Sequence, residues 1–283
     1  NSFGILRNGI NILSGPSGSG KSYLLNRLKD NVDGEFYRVV DGDLNIKSSF
    51  RLTVDALGMS NLLAQKFSEQ YVARRKGFKV SDFNVATSRY RCDECKATGI
   101  DRSSLSDSFV LDGEPCPKCL GLRLSAELLV ITYDGYSLTD VLELSLLEAN
   151  KVFWRERDFS LIFNSAIEFG LGDLRLGQLL SGISKGQQQL FGLNRAFLKK
   201  GSASSILVLL DEPFSEISKE ELTLVMRKIS QLCNQGVTLL FASNMTDLPI
   251  YADYMIQLEA SVSKTIPRRK FRIAREGFVE SIR

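Results

Sequence analysis

Apolar residues follow two rhythms along this chain. Near both ends they cluster in short runs: Ile10-Asn11-Ile12-Leu13, Tyr37-Arg38-Val39-Val40, Ile206-Leu207-Val208-Leu209-Leu210 and Val237-Thr238-Leu239-Leu240-Phe241. The last two are nearly unbroken, as strands buried on both faces of a parallel sheet must be. Elsewhere the apolar positions recur at helical spacing. They predict helices opening at Tyr23 to Leu28, over 56–76 (Leu57, Leu62, Leu63, Phe67, Tyr71), and over 138–153, 159–169, 185–199 and 219–233. Gly34 to about Asp55 reads as β-rich or loop, and residues 80–132 are short, turn-rich and cysteine-bearing. The expected fold is an α/β core split by an insertion. Its parts are a first core segment (1–74), an inserted module (75–135), a helical region (136–182) and a second core segment (183–283).

The first strand runs into Gly15-Pro16-Ser17-Gly18-Ser19-Gly20-Lys21-Ser22, which fits G-x-x-x-x-G-K-[ST], and a helix pattern follows. Strand, loop and helix in that order make a phosphate cradle, because glycines let backbone N–H groups turn inward and the helix N-terminus adds a positive dipole end. Lys21 reaches β- and γ-phosphates and Ser22 suits Mg²⁺; Tyr23 extends the candidate cradle. The plain alternative is a glycine-rich turn with an incidental lysine. The run 207–210 ends in Asp211-Glu212-Pro213. There Asp211 suits support of Mg²⁺ and Glu212 suits a general base acting on water. Upstream, Ile183-Ser184-Lys185-Gly186-Gln187 opens a helix. Taken alone it reads as an N-cap with a polar first turn, although a Ser and a Gly there also make a second anion cradle.

Cys92-Asp93-Glu94-Cys95 and Cys116-Pro117-Lys118-Cys119 form C-x₂-C…C-x₂-C. Two tight turns, each aiming two sulfurs, predict a closed structural zinc site. Cys233 lies in a helix pattern and reads as a small buried hydrophobe. Around the module stand Arg74, Arg75, Lys76, Lys79, Arg89, Arg91, Lys96 and Arg102, with Phe78 and Tyr90 interleaved. They suit nucleic-acid phosphates or a solvated surface equally. The basic and apolar alternation of 268–275 reads as an edge strand before it reads as a nucleic-acid contact.

The net charge is +3 over 283 residues, so any basic surface must be local, and the absence of histidine removes Ser–His, Cys–His and histidine-metal chemistry. No apolar run approaches the roughly 20 residues a membrane span needs, and no signal peptide pattern is present, which predicts a cytoplasmic protein with reduced or metal-bound thiols. A chain that lacks an initial Met and opens almost on its phosphate loop reads as a piece of a longer polypeptide.

Phosphate loop, Ile183–Gln187, acidic strand and second buried strand come in an order that resembles the ATP-binding-cassette (ABC) family. Ile183-Ser184-Lys185-Gly186-Gln187 is similar to its LSGGQ signature, and Ser215-Glu216-Ile217-Ser218 to its D-loop, with Ser218 in place of the usual Asp. Within the family the chain is most similar to the UvrA group, the damage-sensing ATPases of bacterial nucleotide excision repair, in their C-terminal half. Residues 91–99 resemble "RCEACxGxG", residues 116–123 resemble "CxxCxGxR", and Leu174-Arg175-Leu176-Gly177-Gln178 resembles "LRLGQ". Most of 10–258 is covered. The resemblance implies a P-loop cassette with an inserted helical signature region and a four-cysteine zinc module. It implies ATP held between the phosphate loop of one cassette and the signature residues Ser184, Gly186 and Gln187 of another, hence a homodimer or a second cassette, and it implies double-stranded DNA as partner. Three departures stand out: Ser243 falls where the switch histidine belongs, Gly42 where the Q-loop glutamine belongs, and Lys185 at the signature's first glycine. Intact ATP binding with slow turnover is the expectation. A nucleotide-gated scaffold that docks a protein partner is the alternative; a membrane exporter's motor is disfavoured by the inserted module.

Overall fold

The computed structural model describes residues 5–31, 38–41, 52–101, 114–198, 206–245, 248–258, 271–273 and 279–281. The chain folds as two units: Asn1–Asn45 with Glu168–Gly170 and Lys185–Arg283, and Ile46–Ile167 with Leu171–Ser184. In chain order it begins with β1 (Ile10–Ser14), α1 (Lys21–Asn31) and β2 (Arg38–Asp41). Next come α2 (Thr53–Ala56), α3 (Ser60–Ser68), α4 (Tyr71–Lys76), α5 (Val80–Phe83), α6 (Ala126–Leu129), β3 (Thr132–Tyr133) and β4 (Tyr136–Ser137). Then follow α7 (Leu138–Glu143), α8 (Leu146–Val152), α9 (Arg157–Glu168), α10 (Lys185–Leu198), β5 (Ile206–Asp211), α11 (Lys219–Asn234), β6 (Val237–Ala242), β7 (Tyr254–Gln257), β8 (Phe271–Ile273) and β9 (Val279–Ser281).

The first unit is built on a parallel sheet of order β2-β5-β6-β1-β7. β6 is buried along its whole length and β5 up to Asp211, as their apolar runs predict for central strands. On one face Leu25 and Leu28 of α1 pack with Leu13, Leu207, Leu209, Leu240 and Ala242. Each fully buried Leu there contributes roughly 2 kcal/mol. α11 buries Leu222, Val225, Met226, Ile229 and Cys233, the last as expected of a small hydrophobe, and packs on β6 and β1. The register sets Leu13 and Asp211 opposite the same residue, Ala242. The carboxyl ends of β5, β6 and β1 therefore open side by side, where parallel α/β sheets bind ligands.

The second unit is made of short helices around aromatic stacks, among them Phe67–Phe83 with centroids 6.1 Å apart and Phe153–Phe159 at 4.5 Å. Two expected helices are broken. The span 56–76 divides at Gly58, whose φ of 75° no helix accommodates, and again at Gln70, which is extended at ψ 143°. The span 138–153 divides at Leu144, where ψ reaches 141° and Ser145 begins α8 with a capping box to Glu148. Leu174–Gln178 turns between two segments, with Gln178 N–H closing back on Arg175 O at 3.1 Å. Leu176 N–H donates to Leu144 O at 3.0 Å, and Thr53 N–H donates to Gln178 O at 2.9 Å. β8 pairs antiparallel with β9, while Arg268, Arg269, Lys270, Ala274 and Arg275 lie outside the described residues. Among the described residues no helix is long and apolar enough to cross a membrane.

Candidate nucleotide site and cysteine centre

β1 delivers the loop Gly15–Gly20, and α1 starts at Lys21. Lys21 is 7% exposed, and its ammonium donates to Gly15 O (2.7 Å), Pro16 O (3.2 Å) and Asn244 Oδ1 (2.7 Å). Gly15 has no room for a side chain: a Cβ would stand 2.7 Å from Leu258 O and 2.8 Å from Ser19 Oγ. Ser19 Oγ is buried and finds no hydrogen-bond partner among the described residues. A close-packed backbone with an orphan hydroxyl and a buried cation fits a phosphate group. Pro16, Ser17, Gly18 and Ser22 are exposed at the loop and first turn, Gly20 is half-buried, and exposed Tyr23 stacks under Arg27.

Asp211 ends β5 exposed at the carboxyl edge. Its carboxylate and the Ser22 hydroxyl are each hard oxygen donors of the kind Mg²⁺ takes. Glu212 follows with φ 44°, a left-handed conformation that costs a non-glycine residue roughly 1 kcal/mol. Its N–H donates to Ala242 O at 3.0 Å, so the strained residue is still tied to β6. Glu212 Oε2 accepts from Ser243 Oγ (3.2 Å) and Asn244 N–H (3.4 Å); Oε1 is buried with no partner among the described residues. Glu212 and Lys21 are thus linked by two consecutive residues after β6. Gly42, the expected glutamine position, lies outside the described residues.

Gly186 lies in the first turn of α10, and a Cβ there would stand 2.5 Å from Glu216 O. Only glycine admits this approach. Gln189 of the same helix donates to Ser215 Oγ (2.8 Å) and accepts from Glu216 N–H (3.0 Å). The D-loop-like stretch is therefore held against α10, and Ser218 caps α11 through a box with Glu221. Ser184 is exposed before α10 and Gln187 is half-buried in its first turn.

In the second unit the sulfurs of Cys92, Cys95, Cys116 and Cys119 all lie within 4.8 Å of one another. Cys92 and Cys116 are 3.9 Å apart and Cys95 and Cys119 3.6 Å. Four thiolates about 2.3 Å from one zinc ion stand about 3.8 Å apart, so the cluster fits. Burial raises the Cys95 thiol pKa and pushes Cys119 up to about 12, whereas the backbone N–H of Cys119 lowers Cys116. Basic residues nearby divide. Arg74, Arg75, Lys76, Lys79 and Lys96 are exposed, Arg89 pairs with Asp82 at 3.1 Å, and Arg91 donates to Ala86 O. Phe78 and Tyr90 pack edge to face at 5.4 Å. Arg102 lies outside the described residues.

UvrABC system protein A of Borreliella burgdorferi is 30% identical over 87% of this chain and 28% of its own length. The Lactiplantibacillus plantarum protein of the same name is 28% identical over 87% of the chain and 28% of its length. The chain resembles UvrA. It spans just over a quarter of these relatives, and it matches no family profile. The crystal structure of UvrA2 from Deinococcus radiodurans superposes with a TM-score of 0.75 at 23% identity, over 89% of this chain and 33% of that one. The UvrA-like chain thus has the cassette fold, with the parallel sheet and phosphate loop described above.

One residue of the UvrA-like motifs explains two of their glycines. Arg123, 7% exposed, donates to Thr98 O (2.6 Å) and pairs with Glu143 Oε1 (2.8 Å). A Cβ on Gly99 would lie 3.1 Å from its guanidinium carbon, and a Cβ on Gly177 also 3.1 Å. The guanidinium thus packs close to both Gly99 of the cysteine-bearing stretch and Gly177, and Glu143 also pairs with Arg175 at 3.6 Å. Composition gave no sign of this plate; the only signal was that an arginine and two glycines recur at motif positions. Asn244 was likewise missed, since an Asn after a buried strand reads as an ordinary turn.

Proposed function

We propose that this chain is the nucleotide-binding part of a UvrA-like ATPase whose ATP occupancy controls its grip on double-stranded DNA. The observation that carries this is the joining of a buried Lys21 and an acidic Glu212 across the carboxyl ends of β1, β6 and β5, in a chain similar to UvrA. Gly15 through Ser22, with Tyr23, would cradle the triphosphate. Ser22 and Asp211 would hold Mg²⁺, which supplies charge neutralisation on the phosphates when bound. Glu212 would accept a proton from water. Ser184, Gly186 and Gln187 would serve the triphosphate of a second copy or second cassette. The four cysteines would hold structural zinc. Exposed Arg74, Arg75, Lys76, Lys79 and Lys96 would meet DNA phosphates without reading sequence, a binding mode that weakens steeply with salt. Turnover would be slow, because Ser243 supplies no imidazole, and the protein would work in the cytoplasm.

The test is Lys21→Ala. It should lower nucleotide affinity at least tenfold and abolish ATP-dependent self-association, while Glu212→Gln should trap bound ATP. Retention on DNA beads at two salt concentrations, with and without ATP, checks the partner. Ser243 in the switch position favours one other reading, a nucleotide-gated scaffold that docks a protein. ATP-dependent binding without retention on DNA would support it. Unchanged nucleotide affinity in Lys21→Ala would overturn both.

A further inference from the structure

β6 lies between β5 and β1, so residues leaving its carboxyl end can touch both neighbours. Ser243 and Asn244 divide that work. Ser243 is 3% exposed and its N–H donates to Leu13 O of β1 at 3.2 Å. Its hydroxyl accepts from Met245 N–H at 3.1 Å, which turns its own proton toward Glu212 Oε2 at 3.2 Å. Asn244 adds its backbone N–H to the same carboxylate oxygen, at 3.4 Å, and gives its side-chain carbonyl to Lys21.

An ammonium has three protons and no acceptor site. The three of Lys21 are matched by Gly15 O, Pro16 O and Asn244 Oδ1. Any phosphate oxygen that Lys21 binds must take one of these positions. Two belong to the backbone of the loop itself, whereas Asn244 is exposed and its side chain can turn away.

Resting on the ATPase reading above, we propose that this Ser-Asn pair replaces a single switch residue with two separable functions. Asn244 is an internal competitor that phosphate must displace from Lys21, and so sets nucleotide affinity. Ser243 is a positioning residue that aims the Glu212 carboxylate, and so sets turnover.

The experiment measures binding of a fluorescent ATP analogue with Mg²⁺, and steady-state hydrolysis, in the full-length protein. Asn244→Ala should tighten binding about three- to tenfold, the scale of one lost competing hydrogen bond. Asn244→Asp should weaken it roughly tenfold, because a carboxylate holds the ammonium harder than an amide does. Ser243→Ala should cut kcat about tenfold with affinity within twofold of the parent, and Ser243→Thr, which keeps the hydroxyl, should restore kcat. Weaker or unchanged binding in Asn244→Ala overturns the competition, and unchanged kcat in Ser243→Ala overturns the positioning. A parent protein that binds the analogue in a Lys21-dependent way but never hydrolyses ATP overturns the ATPase reading and the role of Ser243. The Asn244 variants then decide the competition by binding alone.

Discussion

In the sheet unit, the candidate nucleotide-site side chains stand at the ends of strands that a continuous hydrogen-bond ladder already fixes. Among the described residues of the cysteine unit, strand pairing is limited to the two-residue β3–β4 hairpin and isolated bridges. Apart from α9, with 12 residues, its helices run from 4 to 9 residues, lengths that are marginal on their own in water. Phe stacks, the Arg123 plate and four inward-facing sulfurs hold them together. One unit positions chemistry with main chain; the other positions main chain with side chains, and with a metal if zinc is bound. The first is expected to tolerate the loss of one side chain's contacts better than the second, which relies on a few.

Zinc removal should separate the two most strongly. Structural zinc is worth roughly 10 kcal/mol or more in small modules. A chelator, or Cys116→Ser, should abolish hydrogen-exchange protection at Cys92, Thr98 and Cys116 and leave that of β5 and β6 in place. Equal loss in both units would erase the contrast. Next come two matched glycines. Gly186→Ala would drive a methyl to 2.5 Å from Glu216 O in the sheet unit, and Gly177→Ala would drive one to 2.9 Å from Leu142 O in the other. Each should cost about 1–3 kcal/mol in denaturant titrations, the usual size of overpacking.

Zinc affinity should also follow pH. Burial keeps Cys119 near 12 and Cys95 raised, so in the metal-free protein both hold their protons at neutral pH. Zinc must displace those protons, and acid therefore favours the metal-free form. Apparent affinity should fall at least tenfold for each unit of pH lost between 8 and 6, measured by competition with a chromophoric chelator. The smallest effects should come from caps. Ser218→Ala and Ser145→Ala each remove one capping box and should cost about 1 kcal/mol, read from the denaturant midpoint of their own unit.

The central strands β5 and β6 were legible because they are buried on both faces and so written as apolar runs; Ile206–Asp211 and Val237–Ala242 match the expected spans to within a residue, whereas the mostly exposed β7 carried no such run. The phosphate loop and the cysteine pairs were legible because their chemistry demands fixed spacing. Helix breaks at Gly58, Gln70 and Leu144 were not, since apolar periodicity continues across each while the backbone turns. Strand order was hidden as well, because β6 enters between β5 and β1 from far along the chain. So the meeting of Glu212, Ser243, Asn244 and Lys21 could not be read from spacing: the residues belong to three separate strand ends. The strain at Glu212 was invisible for a similar reason, since nothing in Asp-Glu-Pro announces a left-handed acid.

Gly99, Arg123 and Gly177 come from three distant stretches, yet a Cβ on either glycine would stand 3.1 Å from the same guanidinium carbon. A Cβ at either glycine crowds the guanidinium and forces it to shift, and a smaller residue in place of Arg123 leaves a gap beside the carbonyls of Ala97 and Thr98. Drift in this corner of the protein is therefore expected to favour paired exchanges, in which a change at a glycine is matched by one at the arginine.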